Sequence, residues 1–202
     1  MDNQQNTILS MAGIILAAGA ASRMGQPKLL LPWKGRALIY HAAHTALVAG
    51  LDPVIVVAGA RMLEIQAALT VLPVEVIHNP AWENGQSTSV KAGIRALPER
   101  TTAAMFLLGD QPYVSVKLIQ ALRQTYTQDR PTILAPFVGG KRSNPVLFDG
   151  SIFEALCALQ GDAGARSIFG QYPPMPLAWQ DERLLFDIDT PEDYQRLLKD
   201  NG

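Results

Sequence analysis

Short apolar runs alternating with segments of helical apolar spacing predict an α/β protein. The expected architecture is a single-domain three-layer sandwich: a mostly parallel, twisted sheet with helices on both faces. Three observations carry this. Runs such as Val54-Ile55-Val56-Val57 are β-branched and unbroken by polar residues, as strands covered on both faces require. The segments between such runs place apolar residues every three or four positions. The connections are short, which suits strand–helix–strand units.

The elements follow in order. Ala12–Ala17 reads as the first strand and runs into a small-residue loop. Ala37–Ala49 has helical spacing and stops at Gly50. Pro53–Ala58 is a strand, Arg61–Leu69 a helix and Val74–Ile77 a strand. Gln86–Leu97 is a helix, Ala103–Leu108 a buried strand, Ser115–Thr127 a helix and Thr132–Ala135 a strand. The last third is less regular. Pro145–Phe148 is reached through a polar loop rather than a helix, which predicts an antiparallel strand. Helices are expected near Ile152–Leu159 and Ala163–Tyr172, then Leu177-Ala178-Trp179, and a closing helix Pro191–Lys199. No repeat, low-complexity tract or Gly/Ser linker interrupts the chain. Residues 11–202 are therefore expected to form one domain behind a flexible N-terminal tail, residues 1–10.

Composition narrows the function. The 202 residues carry 17 Lys+Arg and 18 Asp+Glu, a net charge of −1, which excludes a polybasic nucleic-acid binder acting by bulk field. No nucleic-acid or membrane partner is expected. The polar N-terminus lacks the cationic start and apolar run of a signal peptide, and no apolar stretch approaches the roughly 20 residues of a membrane span; a cytoplasmic location is the expectation. One cysteine, Cys157, lies in an apolar helical pattern and excludes an internal disulfide framework. It reads as a buried packing residue.

The loop after the first strand is Leu16-Ala17-Ala18-Gly19-Ala20-Ala21-Ser22-Arg23-Met24-Gly25-Gln26-Pro27-Lys28. Ligands of open α/β sheets sit beyond the carboxyl ends of strands, where this loop lies. Small residues let backbone N–H groups approach a phosphate, and Arg23 and Lys28 add two cations. The pattern is neither a Walker A loop nor the dinucleotide G-x-G-x-x-G. On spacing alone, a phosphate cradle and a surface turn with two solvated cations are equally open. Asp110 directly follows a buried strand, where it is placed either to hold Mg²⁺ or to form a turn with Gln111-Pro112. Asp189-Thr190-Pro191 marks a helix start in which Thr190 can serve as the cap, leaving Asp189 free. His41, His44 and His78 have no third ligand nearby and read as structural, and Trp33, Trp82 and Trp179 read as packing, with a base-side role open for Trp82.

The first loop resembles the signature of the nucleotidyltransferases, L-A-[AG]-G-x-[SG]-x-R-M-[G]-x-x-K, and most resembles the molybdenum cofactor cytidylyltransferase branch of the MobA-like NTP transferases. Asn79-Pro80-Ala81-Trp82-Glu83-Asn84-Gly85-Gln86-Ser87-Thr88-Ser89, Leu108-Gly109-Asp110-Gln111-Pro112, Asn144-Pro145-Val146-Leu147-Phe148, Gly161-Asp162-Ala163-Gly164-Ala165-Arg166 and Asp187-Ile188-Asp189-Thr190-Pro191-Glu192-Asp193-Tyr194 are similar to further motifs of that branch, in the same order. The resemblance implies a Rossmann-like, nucleotide-diphospho-sugar transferase fold. It implies an Mg²⁺-dependent transfer of CMP from CTP to the terminal phosphate of molybdopterin or its molybdenum-bound form, with release of pyrophosphate.

The same resemblance assigns the site. Arg23 and Lys28 would bind the triphosphate and stabilise its developing charge. Leu16, Ala17, Ala18, Gly19, Gly85 and Ser89 would contact the nucleotide, and Asp110 and Asp189 would hold the metal, Asp189 being preferred over Asp187. Asn144, Pro145, Asp162, Gly164 and Arg166 would receive the acceptor, with Lys141 and Arg142 beside them or at a solvated hairpin tip. Guanylyltransferase relatives tend to have Gly where this chain has Ala18; the added methyl favours a pyrimidine. Gln86 departs from the Met usual at its position, which bears on the base contacts. A molybdoenzyme or its chaperone is an expected partner. The alternatives are a guanylyl- or other nucleotidyltransferase with a different phosphorylated acceptor, and a non-catalytic nucleotide-binding chaperone.

Overall fold

The structure is a computed structural model that describes residues 9–19, 24 and 26–200. Residues 1–8 of the expected tail lie outside the described residues, as does Arg23. In chain order the elements are β1 (Ser10–Ala17), a hairpin of β2 (Pro32–Trp33) and β3 (Arg36–Ala37), α1 (Leu38–Val48), β4 (Val54–Ala58), α2 (Met62–Leu69), β5 (Glu75–His78), α3 (Gln86–Arg95) and β6 (Thr101–Leu108). Then come α4 (Val116–Asp129), β7 (Ile133–Val138), β8 (Lys141–Arg142), β9 (Val146–Asp149), α5 (Phe153–Cys157), β10 (Met175–Ala178) and α6 (Pro191–Lys199).

The main sheet runs in the order β10-β7-β9-β6-β1-β4-β5, with β8 paired to β7. The strands β6, β1, β4 and β5 are mutually parallel. β9 is antiparallel to both β6 and β7, as the polar connection to Pro145–Phe148 predicted. Two apolar layers explain why the strands read as unbroken hydrophobic runs. Ile39 and Ala43 of α1, Ile65 of α2, and Leu118, Leu122 and Tyr126 of α4 cover one face, against Ile15, Val56, Met105 and Leu147. Val90 and Ile94 of α3 and Leu156 of α5 cover the other, against Ile14, Val57, Phe106 and Phe148. Ile14 and Ile15 are neighbours in sequence yet lie in opposite layers, as the strand period of two dictates. Cys157 is half-buried beside the second layer rather than enclosed by it.

The irregular third differs from expectation. Ala163–Tyr172 is not an α-helix; a 3₁₀ segment spans Ala165–Gly170. Gly164 and Gly170 bracket it and Pro173-Pro174 follow, leaving too few helix-forming residues to offset the cost of nucleation. The helix expected over Ile152–Leu159 is shortened to Phe153–Cys157 behind a 3₁₀ turn, because the Asp149 carboxylate accepts from the Ser151 N–H at 2.9 Å and starts that turn earlier. Lys141 and Arg142 form the returning strand of the hairpin after Gly139-Gly140. No helix among the described residues is long and apolar enough to cross a membrane.

The topology also selects a place for a ligand. From β1 the chain moves to β4 and β5 on one side of the sheet, then returns to β6 on the other. The strand order therefore reverses at β1, and the carboxyl ends of β1 and β6 diverge around a crevice.

Candidate active site

A cleft of about 780 Å³ opens at that reversal. Leu16, Ala17, Ala18 and Gly19 line it from the end of β1, and Leu108, Gly109 and Asp110 from the end of β6. Lys28 and Leu29 close one side, while Trp82, Gly85, Gln86 and Ser89 close another, with Arg61 and Asp162 at the mouth.

Lys28 opens a short 3₁₀ turn, Lys28–Leu30, that packs directly over Gly109. A side chain on Gly109 would lie 3.0 Å from both Leu29 and Ile39. Glycine at the strand exit thus lets the lysine turn approach the carboxylate. The Lys28 ammonium pairs with Asp110 and donates to the Asp189 Oδ1 and the Ile188 carbonyl, each at 3.1 Å. Burial alone would depress the lysine pKa; the Asp110 charge and its hydrogen bond, with those of Asp189, outweigh it and hold the pKa above 10.5. Thr190 caps α6 through a reciprocal capping box with Asp193. Asp189 keeps its carboxylate for Lys28, because Thr190 meets the helix's need for a cap.

A third carboxylate lies in the same cluster. Asp187 accepts from the Gln111 amide at 2.6 Å. Burial of this carboxyl, reinforced by the Asp110 and Asp189 charges and opposed by Gln111 and Lys28, holds its pKa above the ordinary 3.8. The Asp110 Oδ1 is buried without a hydrogen-bond partner among the described residues. An orphaned carboxylate oxygen, with a second carboxylate bound to the same lysine, suits a hard divalent cation completed by substrate phosphate oxygens. Among the described residues no group of three or more His, Cys, Asp or Glu forms a protein-only metal cage. His41 and His44 are structural: His41 donates Nε2–H to the Trp33 carbonyl at 2.6 Å and His44 stacks on Tyr40.

The opposite wall is built from α3. The Asn79 amide donates to Thr88 Oγ1 at 2.8 Å and Ser89 Oγ at 2.9 Å, fixing the helix start against the end of β5. Gly85 adopts φ +107, a conformation side-chain-bearing residues avoid, and a Cβ there would fall 2.3 Å from the Gly161 carbonyl. Ser87 N–H donates to that carbonyl at 3.1 Å. The loop 160–164 is thereby docked on α3, which carries Asp162 to the cleft. Trp82 lies against Gly59, where a Cβ would sit 2.7 Å from the indole and 2.6 Å from the Ala18 carbonyl.

Leu16, Ala17, Ala18, Gly19, Lys28, Gly85, Ser89, Asp110 and Asp162 all line one cleft, and Asp189 joins it through Lys28. Asn144, Pro145, Gly164 and Arg166 do not line it; Gly164 lies just behind Gln86, where a Cβ would meet the Gln86 amide oxygen at 2.2 Å. Arg142 sits over the Phe169 ring at 5.0 Å, and burial together with the nearby Arg166 charge lowers its pKa. Trp82, for which the sequence left a base-side role open, is a wall of the cleft, whereas the Gln111–Asp187 bond was not apparent from sequence. The signal for the first was the tryptophan's place between Asn79 and Gly85; the second depends on two segments meeting only in the fold.

Comparison with known proteins identifies the family. A model of the MobA-like NTP transferase domain matches residues 13–175. Nicotine blue oxidoreductase of Paenarthrobacter nicotinovorans is 32% identical over 93% of this chain and 96% of its own length. The purine catabolism protein PucB of Bacillus subtilis is 33% identical over 94% and 96%. Molybdenum cofactor cytidylyltransferase of Escherichia coli is 26% identical over 90% and 92%. The crystal structure of Rv0371c from Mycobacterium tuberculosis H37Rv superposes with a TM-score of 0.86 at 27% identity, covering 95% of this chain and 98% of that one. A complex of the same protein with manganese gives 0.79 at 26% identity, covering 95% and 99%. A family model that spans most of the chain, and relatives aligned almost end to end, show that the protein belongs to the MobA-like NTP transferase family of nucleotidyltransferases.

Proposed function

We propose that the protein transfers CMP from CTP to the terminal phosphate of molybdopterin, or of its molybdenum-bound form, with release of pyrophosphate. The observation that carries this reading is the Asp110–Lys28–Asp189 cluster at the strand-order reversal, where Asp110 and Lys28 line a nucleotide-sized cleft. The attacking oxygen of a phosphate monoester is largely ionised near neutral pH, since its second pKa is about 6. The reaction therefore needs positioning and charge neutralisation more than a general base. Asp110 and Asp189 would hold Mg²⁺, which supplies neutralisation of phosphate charge. Lys28 turns its ammonium from these carboxylates toward the triphosphate, and Arg23 adds a second cation from the same loop.

The nucleotide lies along the carboxyl end of β1, with its base between Ala18, Trp82 and the start of α3. The Ala18 methyl narrows this end of the cleft and favours a pyrimidine; a methyl-sized difference gives about 1–3 kcal/mol of discrimination. The acceptor enters from the side of Asp162, with Asn144, Pro145, Gly164 and Arg166 behind it. A partner molybdoenzyme or its chaperone would receive the product. The similarity to a cytidylyltransferase of molybdenum cofactor supports this choice of substrates.

Incubation with CTP labelled at the α-phosphate tests the reading. The label is expected to move to the pterin, in a metal-dependent reaction that Asp110→Asn abolishes. Label remaining in CTP or appearing only as free CMP contradicts it. A second reading rests on the 32% identity to nicotine blue oxidoreductase: the same cleft would hold a nucleotide-bearing redox cofactor. Oxidation of a reduced nicotinamide dinucleotide by an aromatic acceptor, without pyrophosphate release, would favour that reading.

A further inference from the structure

The carboxylates of Asp110 and Asp189 come from separate segments, one leaving β6 and one entering α6, and no strand pairing joins those segments. Lys28 bridges the two carboxylates and Tyr113 bonds Asp200 at the far end of α6; three further bonds lie beside the pair. The Ile188 N–H donates to the Asp110 carbonyl at 3.1 Å, and Lys28 donates to the Ile188 carbonyl at 3.1 Å. The third is the bond from the Gln111 amide to the Asp187 carboxylate, at 2.6 Å. It is the only one of the three made between two side chains.

The Gln111 side chain is built for one bond. It is 6% exposed, and its Oε1 is buried with no donor among the described residues. Flipping the amide would set Oε1 against the Asp187 carboxylate, acceptor to acceptor, so the donor orientation is fixed by Asp187. A buried carbonyl without a partner costs about 1–3 kcal/mol. A leucine would fill this space without that cost. The amide is thus specified by what its N–H holds. Asp187 in turn flanks Ile188 and is two residues from Asp189, so a bond that fixes Asp187 also fixes the backbone carrying Asp189.

We infer that Gln111 and Asp187 form a positioning brace that sets the separation of Asp110 and Asp189, and with it their affinity for a divalent cation. This rests on the reading of Asp110 and Asp189 as the metal-holding pair. Residues that orient metal ligands from behind typically change metal affinity about 10–100-fold when removed.

The test is binding of Mn²⁺ alone to the full chain, followed by the electron paramagnetic resonance of free Mn²⁺. Gln111→Leu, which keeps the volume and removes the donor, should weaken binding about tenfold or more while the melting temperature is kept. Gln111→Asn, too short to span to Asp187, should behave similarly and covers the case in which the leucine variant fails to fold. Asp187→Asn retains an acceptor for Gln111 but removes a nearby negative charge, and should lose less Mn²⁺ affinity than Gln111→Leu. Adding Gln111→Leu to it should cost less than the sum of the two single losses, because the two residues act as one unit. Wild-type affinity in Gln111→Leu and Gln111→Asn, with affinity lost in Asp110→Asn, overturns the brace and leaves the metal pair standing. Wild-type affinity in Asp110→Asn overturns the metal pair and the brace together.

Discussion

Lys28 lies where three carboxylates converge: it bonds Asp110 and Asp189, while Asp187 stands beside them on Gln111. Asp189 is 52% exposed, so its pair contributes no more than about 1 kcal/mol to folding, while desolvation of both charges offsets the attraction in the more enclosed Asp110 pair. Their value is in placement. Asp110→Asn removes one of three crowded negative charges and keeps the side-chain shape. It should abolish turnover while moving the melting temperature by no more than a few degrees, at about 2–4 °C per kcal/mol for a chain of this size. Parallel turnover assays and thermal melts check this. A melting temperature lowered by 10 °C or more, roughly 3 kcal/mol on the same scale, would instead make Asp110 a turn-forming residue with no special part in the reaction.

At the scale of elements, α3 is held to the sheet by close approach at Gly93, where a Cβ would lie 2.6 Å from Ile14 Cγ2 and 3.3 Å from Val57. Gly93→Ala should destabilise by about 1–3 kcal/mol through overpacking, visible in a denaturant melt as a lower midpoint at unchanged slope. The opposite layer is pinned by Tyr126 of α4, whose single hydroxyl proton is shared between the Asp149 carboxylate at the end of β9 and the Thr102 carbonyl of β6, the latter at 3.1 Å. Burial, then the Asp149 bond, pushes the Tyr126 pKa from 10 to about 12. The fold therefore favours the neutral phenol. That stabilisation is complete below pH 10 and is lost as pH climbs toward 12. Tyr126→Phe should be less stable at neutral pH, by about 1–3 kcal/mol for the lost bonds, with a shallower loss above pH 10 than wild type shows. Melting temperatures measured from neutral to alkaline pH decide it.

These elements also show what the sequence carries. The start of α6 at Pro191 was legible because its cap is local: Thr190, Pro191 and Asp193 fix it among themselves. The continuous strands were legible because two covered faces leave only one pattern. The hairpin Pro32–Ala37 was not, since strands of two residues have no periodicity to read. The Ala163–Tyr172 segment has helical spacing but is broken by its glycines. At the site, Asp110 and Lys28 could be singled out because each stands beside an informative strand or loop. The Gln111–Asp187 bond could not, because a glutamine after a strand has no meaning until the fold supplies its carboxylate.

For the molecule as a whole, the net charge of −1 conceals a local arrangement. Strands buried on both faces leave little room for charge, and three carboxylates and a lysine are gathered at one edge of the sheet where its strand order reverses. Catalysis on this account depends on that single edge. On the proposed reading, the α3 wall with Ala18 and Trp82 sets which nucleotide fits, and the docked loop 160–164 sets where the acceptor approaches. The measurement that tests this most directly is the rate of pyrophosphate release with each of the four nucleoside triphosphates, in the presence and absence of molybdopterin. The account predicts that CTP turns over fastest, and only when the pterin is present. Faster turnover of GTP, or no pyrophosphate from any nucleotide, would contradict it.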